Sequence, residues 1–133
     1  MAANMIAIDT NVVVRYVVQD DADQSRVAQA LVDSESVFVS LTVILEAGWV
    51  LASRYGYPSR LVAMSLTAFV GLPGVAVEDP WTVRQALDWV AGGLDFADAL
   101  HLAQARDMDG FATFDRQLAA RAAQLGFKAI NLL

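Results

Sequence analysis

The sequence predicts an α/β domain with a central, mostly parallel sheet covered by helices on both faces. Two observations carry this. Short apolar runs of strand length recur along the chain, and longer segments with three- and four-residue apolar spacing separate them. Strand and helix therefore alternate, and a parallel sheet needs connections of that length between its strands.

MIAI, from Met5, opens as a strand. NVVVRYVVQD and DQSRVAQALVDS follow as helices, split by the polar residues 20–23. VFVS, from Val37, is the second strand, and TVILEAGWVLASRYG a helix that stops at Gly56. Pro58 suits the start of the next helix, SRLVAMSLTAFVG. GVAV, from Gly74, reads as a short strand. Pro80 opens the helix WTVRQALDWVAG, and Gly92 and Gly93 close it. DFADALHLAQARDMDG is a helix headed by an acid. FATF, from Phe111, is a strand, DRQLAARAAQLG a helix and KAIN a last strand.

The 133 residues suit a single domain spanning 1–133. Hydrophobic residues make up 56%, and mean hydropathy is +0.44. An alanine- and valine-rich core explains that surplus, and so does apolar surface covered by a partner. The helices around Glu46 and Met64 carry more apolar residues than one buried stripe requires. A net charge of -6 excludes a broad basic face for nucleic acid. It leaves open a compact acidic site in which a metal meets phosphate. With no cysteine, disulfides, zinc–thiolate sites and cysteine nucleophiles are excluded. The N-terminal run lacks a basic start and is interrupted by Asp9, so no signal peptide is expected. The uncharged stretch from Val62 is too short and too broken by Gly-Leu-Pro-Gly for a membrane helix. A cytoplasmic protein with no membrane association is expected.

The acids carry the chemistry. Asp9 lies between two apolar runs, where a buried carboxylate needs a proton, a partner or a metal. Asp9 and Asp115 each follow a strand directly, at the sheet edge where functional groups gather. Helix capping explains each singly. Glu46 is the only charged residue between Glu35 and Arg54, and Val43, Ala47 and Val50 share its helical face. It is either an edge residue facing solvent or an acid held inside for a purpose. Asp95 reads as an N-cap, with Asp98 one turn on. Two carboxylates that close repel unless a cation joins them. Gathered at one sheet edge, Asp9, Glu46, Asp98 and Asp115, with Asp95 as a fifth candidate, would hold a hard divalent ion such as Mg²⁺ or Mn²⁺. Without metal, at least one of them should have a raised pKa.

Four segments in order resemble the PIN-domain ribonucleases, and specifically the VapC-type toxins of bacterial toxin–antitoxin pairs. They are IDTNVVVRYVVQDDADQ, VSLTVILEAGWVLASRYG, DFADALHLAQA and ATFDRQLA. The resemblance implies a PIN-like three-layer α/β/α sandwich. It makes Asp9, Glu46, Asp98 and Asp115 the metal-binding catalytic acids and Asp95 an extra acid at the rim. Asn11 becomes a supporting polar group, and Thr113 supports the site through its hydroxyl. The resemblance further implies a homodimer and a cognate antitoxin that can send a basic side chain into the acidic pocket.

The expected reaction is metal-dependent endonucleolytic hydrolysis of RNA, with water as nucleophile and 5′-phosphate products. Asp98 or Glu46 takes the water's proton, and sequence does not choose between them. Arg15 and Arg116 are candidates for phosphate contacts, with surface ion pairs as the plainer reading. His101, one turn after Asp98, reads mainly as a partly buried helix residue. Trp49, Tyr55, Trp81 and Trp89 could stack on bases, but helical spacing favours core or interface. Two other classes compete. An Asp-dependent phosphatase or phosphoacceptor domain would want a second acid near Asp9 and a lysine at the site. Position 11 is Asn, and the only lysine is Lys128. A catalytically inactive PIN-like binding module would have no need to hold four repelling carboxylates together.

Overall fold

The computed structural model describes residues 4–132. Its elements run β1 (Ile6–Ala7), α1 (Thr10–Val18), α2 (Ala22–Ser34), β2 (Val37–Val39), α3 (Leu41–Ser53), α4 (Ser59–Val70), β3 (Val75–Val77), α5 (Pro80–Ala91), α6 (Phe96–Gln104), β4 (Phe111–Thr113), α7 (Arg116–Gln124) and β5 (Ala129–Asn131). The predicted alternation agrees with this order, and the boundaries agree to within a few residues except that the helix expected to run from Asp95 to Gly110 ends at Gln104, where the chain turns before β4. The fold is the expected α/β sandwich, and every strand pair is parallel.

The hydrogen-bonded sheet departs from the single sheet expected. Among the described residues it falls into two pieces, β1-β2-β3 and β4-β5. The cause is the shortness of β1. Its backbone bonds go to β2, Ile6 N–H to Ser36 O at 2.9 Å and Ile8 N–H to Phe38 O at 3.0 Å. The chain then turns at Asp9 into α1. In the larger piece Ile6 is opposite Val37, and Val37 is opposite Val75. In the smaller, Thr113 is opposite Asn131.

The core is aliphatic and drawn from most elements. Val13, Val14, Val37, Val39, Ile44, Leu51, Leu66, Val83 and Leu102 are essentially inaccessible to solvent. Tyr16 meets Phe69 edge to face at 5.4 Å between ring centres, which ties α1 to α4. Both readings of the apolar surplus have substance. The core is rich in valine, leucine and alanine, yet Trp49 on α3 and Leu61 and Met64 on α4 remain exposed. No helix among the described residues is long and apolar enough to cross a membrane.

Helix starts follow a common rule. Asp9, Asp21, Ser40, Asp79, Asp95 and Asp115 each place a side-chain oxygen on a free backbone N–H of the first turn. Pro58 precedes α4 without a side-chain cap, and Pro80 opens α5.

One close approach sets the spacing between α3 and α6. A Cβ on Gly48 would fall 2.2 Å from Cδ2 of the buried Phe96 ring, so the ring rests on bare helix backbone. The two helices run antiparallel. Leu41, Thr42 and Leu45 share a small cavity with Leu100, His101 and Gln104. Gly48, Trp49 and Ala52 share another with Asp95, Phe96 and Ala97. We expect Gly48→Ala to destabilise the fold by about 1–3 kcal/mol through overpacking. Adding Phe96→Leu should recover part of that loss, and urea unfolding of the single and double variants checks both.

Candidate active site

The site has two halves. In the first, Asp9 is exposed and caps α1, accepting the Val12 N–H at 3.2 Å. This corrects the expectation of a carboxylate trapped between buried segments: the sheet ends at Ile8, and Asp9 already stands at the surface. Glu46 is likewise exposed, on the edge of α3, with Ala47 buried beside it and Val43 and Val50 half-buried. Its Oε1 accepts a short hydrogen bond from the hydroxyl of Thr10. The residue after Asp9 therefore joins the start of α1 to the middle of α3. Sequence reasoning missed Thr10 and gave the supporting role to Asn11. Asn11 is exposed and lines the groove between α1 and α2, with Val12, Val27 and Leu31.

The second half gathers Asp95, Asp98 and Asp115. Asp95 caps α6 by accepting the Asp98 N–H at 3.2 Å. Asp115 caps α7, its Oδ1 accepting the N–H groups of Gln117 at 2.9 Å and Leu118 at 3.1 Å. Its own N–H donates to Thr113 Oγ1 at 3.0 Å. Asp98 is the half-buried member. Burial pushes its carboxyl above the ordinary range; the charges of Asp95 and Asp115 push the same way, and His101 opposes them.

The antiparallel α3–α6 pair relates the halves. Glu46 is on α3 and Asp98 on α6, and neither lines the cavities that the helices share. The acids nevertheless stand apart: among the described residues, no three acidic or histidine side chains are grouped closely enough to hold a metal ion.

The PIN domain family profile matches residues 6–124, nearly the whole chain. The chain belongs to the PIN domain family. No curated protein matches it significantly. A solved structure, the crystal structure of Mycobacterium tuberculosis VapC20, described as a sarcin-ricin loop cleaving toxin, is 23% identical to it. The alignment covers 96% of this chain and 98% of that one, with a TM-score of 0.44. At that score the likeness adds nothing to the assignment, which rests on the family match.

The cations of this PIN domain divide. Arg15 is engaged away from the acids. Its guanidinium donates to Gln24 Oε1 at 2.6 Å, Asp20 Oδ1 at 2.9 Å and the Tyr55 hydroxyl at 3.0 Å. The ion-pair reading therefore describes Arg15. Burial works against the Asp20 charge, but the Tyr55 hydroxyl, a backbone N–H and Arg15 together hold that carboxyl below the usual range. Arg116 is exposed in the first turn of α7, directly after Asp115. His101 is exposed on α6 rather than partly buried.

The aromatic residues divide too. Trp89 packs edge to face on Phe127 at 5.8 Å. Trp81 is exposed, with the Arg106 guanidinium 4.1 Å from its ring centre. Trp49 is exposed as well, so neither of these two is a core residue.

The raised Asp98 pKa has a consequence for stability. The folded chain keeps this proton over a range where the unfolded chain has lost it. Stability from this group is therefore full below roughly pH 4, falls as pH rises through the folded pKa and then levels off. Asp98→Asn should remove that fall and raise the melting temperature of the metal-free protein at neutral pH. Thermal melts of both proteins in EDTA across pH check it. Equal melting temperatures at neutral pH would refute it.

Proposed function

We propose that the protein is a metal-dependent endoribonuclease that hydrolyses RNA phosphodiester bonds. We further propose that it is the toxin of a bacterial toxin–antitoxin pair, a cytoplasmic single-domain protein that forms a homodimer and is neutralised by a cognate antitoxin. One observation carries the catalytic reading. Four separate stretches of a PIN-family chain carry these acids, three of them at helix starts, and the Thr10 hydroxyl links two of the stretches through Glu46.

The donor set fits a hard divalent ion, Mg²⁺ or Mn²⁺. It is all oxygen, the chain has no thiolate, and its one histidine is exposed. The half-buried Asp98, pressed by Asp95 and Asp115, is where added positive charge relieves repulsion. Asp9, Glu46, Asp98 and Asp115 are the residues that would hold the ion, with Asp95 at the rim. A bound divalent ion supplies Lewis-acid polarisation of the phosphate and a more acidic water. The protein's own groups do the rest. Thr10 orients the Glu46 carboxylate through its hydroxyl, and Thr113 holds the backbone turn that presents Asp115. Arg116 stands beside that acid as a contact for phosphate oxygen. Water attacks phosphorus and its proton passes to the carboxylate of Glu46 or Asp98, while the bond from phosphorus to the 3′-oxygen breaks and that oxygen takes a proton from solvent. The products carry a 5′-phosphate and a 3′-hydroxyl.

End-labelled structured RNAs incubated with the protein in Mg²⁺, Mn²⁺ or EDTA test this. Cleavage should need metal and leave 5′-phosphates. Asp9→Asn and Glu46→Gln should each lower the rate by about 100-fold or more, the scale on which loss of one electrostatic group acts at a reacting centre. Neither change should unfold the protein. Asn caps a helix about as well as Asp, and the Gln carbonyl still accepts from Thr10. A 2′,3′-cyclic product, or equal cleavage by Asp9→Asn, would overturn the mechanism.

A further inference from the structure

We infer that Trp49 is a base-stacking platform beside the acids, and that it selects RNA whose bases are unpaired at the cleavage site. The inference rests on the ribonuclease reading above and adds the class of substrate. Trp49 follows Glu46 by three residues on α3, so the two side chains lie on one flank of the helix, about one turn apart. Both are exposed, and Trp49 keeps 61% of its surface in water. An RNA strand with a phosphate at Glu46 therefore has an open indole next to it.

The surroundings of the ring favour this role. Trp49 borders a cavity of about 90 Å³ whose far wall is Asp95, Phe96 and Ala97 at the start of α6. Benzene-sized guests occupy cavities of about 150 Å³, so this one is too small for a base. The place for a base is the exposed part of the indole. The other tryptophans are occupied: Arg106 covers Trp81, and Phe127 packs on Trp89. Tyr55 is held by Arg15 and donates to Asp20. Trp49 has no ring or cation partner among the described residues.

Charge points the same way. The net charge is -6 and Arg15 is already paired to Asp20, so positive charge is in the minority on this protein. Affinity must then come largely from uncharged contacts, of which stacking on an aromatic ring is the strongest open to a base. Bases within a duplex already stack on each other and leave no face for Trp49. Unpaired bases in a loop or single strand do.

The test uses the full chain carrying Asp9→Asn, which holds RNA without cutting it, with and without Trp49→Ala or Trp49→Phe. Fluorescence anisotropy measures binding of a labelled single-stranded RNA and of its duplex, in Mg²⁺ and over a salt series. Trp49→Ala should weaken single-strand binding by about tenfold or more, and Trp49→Phe should recover most of it. Duplex binding should be weaker and unmoved by either change, and single-strand binding should fall only shallowly with salt. In the chain with native Asp9, Trp49→Ala should raise KM more than it lowers kcat. Single-strand affinity unchanged by Trp49→Ala would overturn the stacking role while leaving the ribonuclease reading intact. A change of oligomeric state with RNA affinity unchanged would instead assign Trp49, with Leu61 and Met64, to a protein interface. No RNA binding by Asp9→Asn together with no cleavage by the native chain would remove the ribonuclease reading and this inference with it.

Discussion

The contact between Gly48 and Phe96 is the constraint on which the site depends. Glu46 sits on α3 and Asp98 on α6, and neither helix carries both. Their separation is set by how closely the two helices pack, and the absent side chain at position 48 sets that distance. Interiors of proteins do not deform smoothly, so a ring seated on helix backbone acts as a fixed spacer. Thr10 adds a second tie, from the start of α1 to the same stretch of α3. Three helices are thereby tied together, although the hydrogen-bonded sheet is in two pieces.

Such a concentration of negative charge needs local compensation. Asp9, Asp95 and Asp115 obtain it from the backbone. Each accepts N–H groups at a helix start, where the helix dipole also favours an anion. Asp98 lies one turn inside α6, caps nothing and is half-buried. Its raised pKa comes first from burial, with the charges of Asp95 and Asp115 adding to it. Capping and metal binding are therefore not rival explanations of these acids. The caps make the charges tolerable in the fold, and the remaining repulsion leaves a place for a cation.

Much of the fold was legible because each element announces itself locally. Pro80 and the glycines after Ala91 bound α5, and the short valine-rich runs of β2 and β3 stand out between helical patterns. The two-piece sheet was not legible, because the pairing of β1 depends on where its two residues direct their hydrogen bonds. The candidate acids were legible by residue type and by their place after strands. Their environment was not. Asp9 read as enclosed by apolar neighbours and Glu46 as either enclosed or at a helix edge, and both lie at the surface, because the helices turn those neighbours inward and the acids outward. Thr10 escaped notice because its partner lies 36 residues away and no local spacing connects them. Its one available signal was a hydroxyl directly after an acid at a helix start. Arg15 looked available for phosphate because Tyr55, 40 residues on, cannot be seen from position 15.

The dual role of the helix-capping aspartates bears on how such a protein changes over generations. At positions 9, 95 and 115 the fold asks only for an oxygen acceptor, which asparagine supplies as well as aspartate. On the proposed mechanism the negative charge itself serves the chemistry, with the helix dipole adding a smaller preference for it. A lineage relieved of selection for that chemistry can lose it in one substitution and still keep a folded domain with its surfaces in place. The architecture is thus buffered against decay while the reaction is not, and the route from nuclease to inert binding protein is short and downhill.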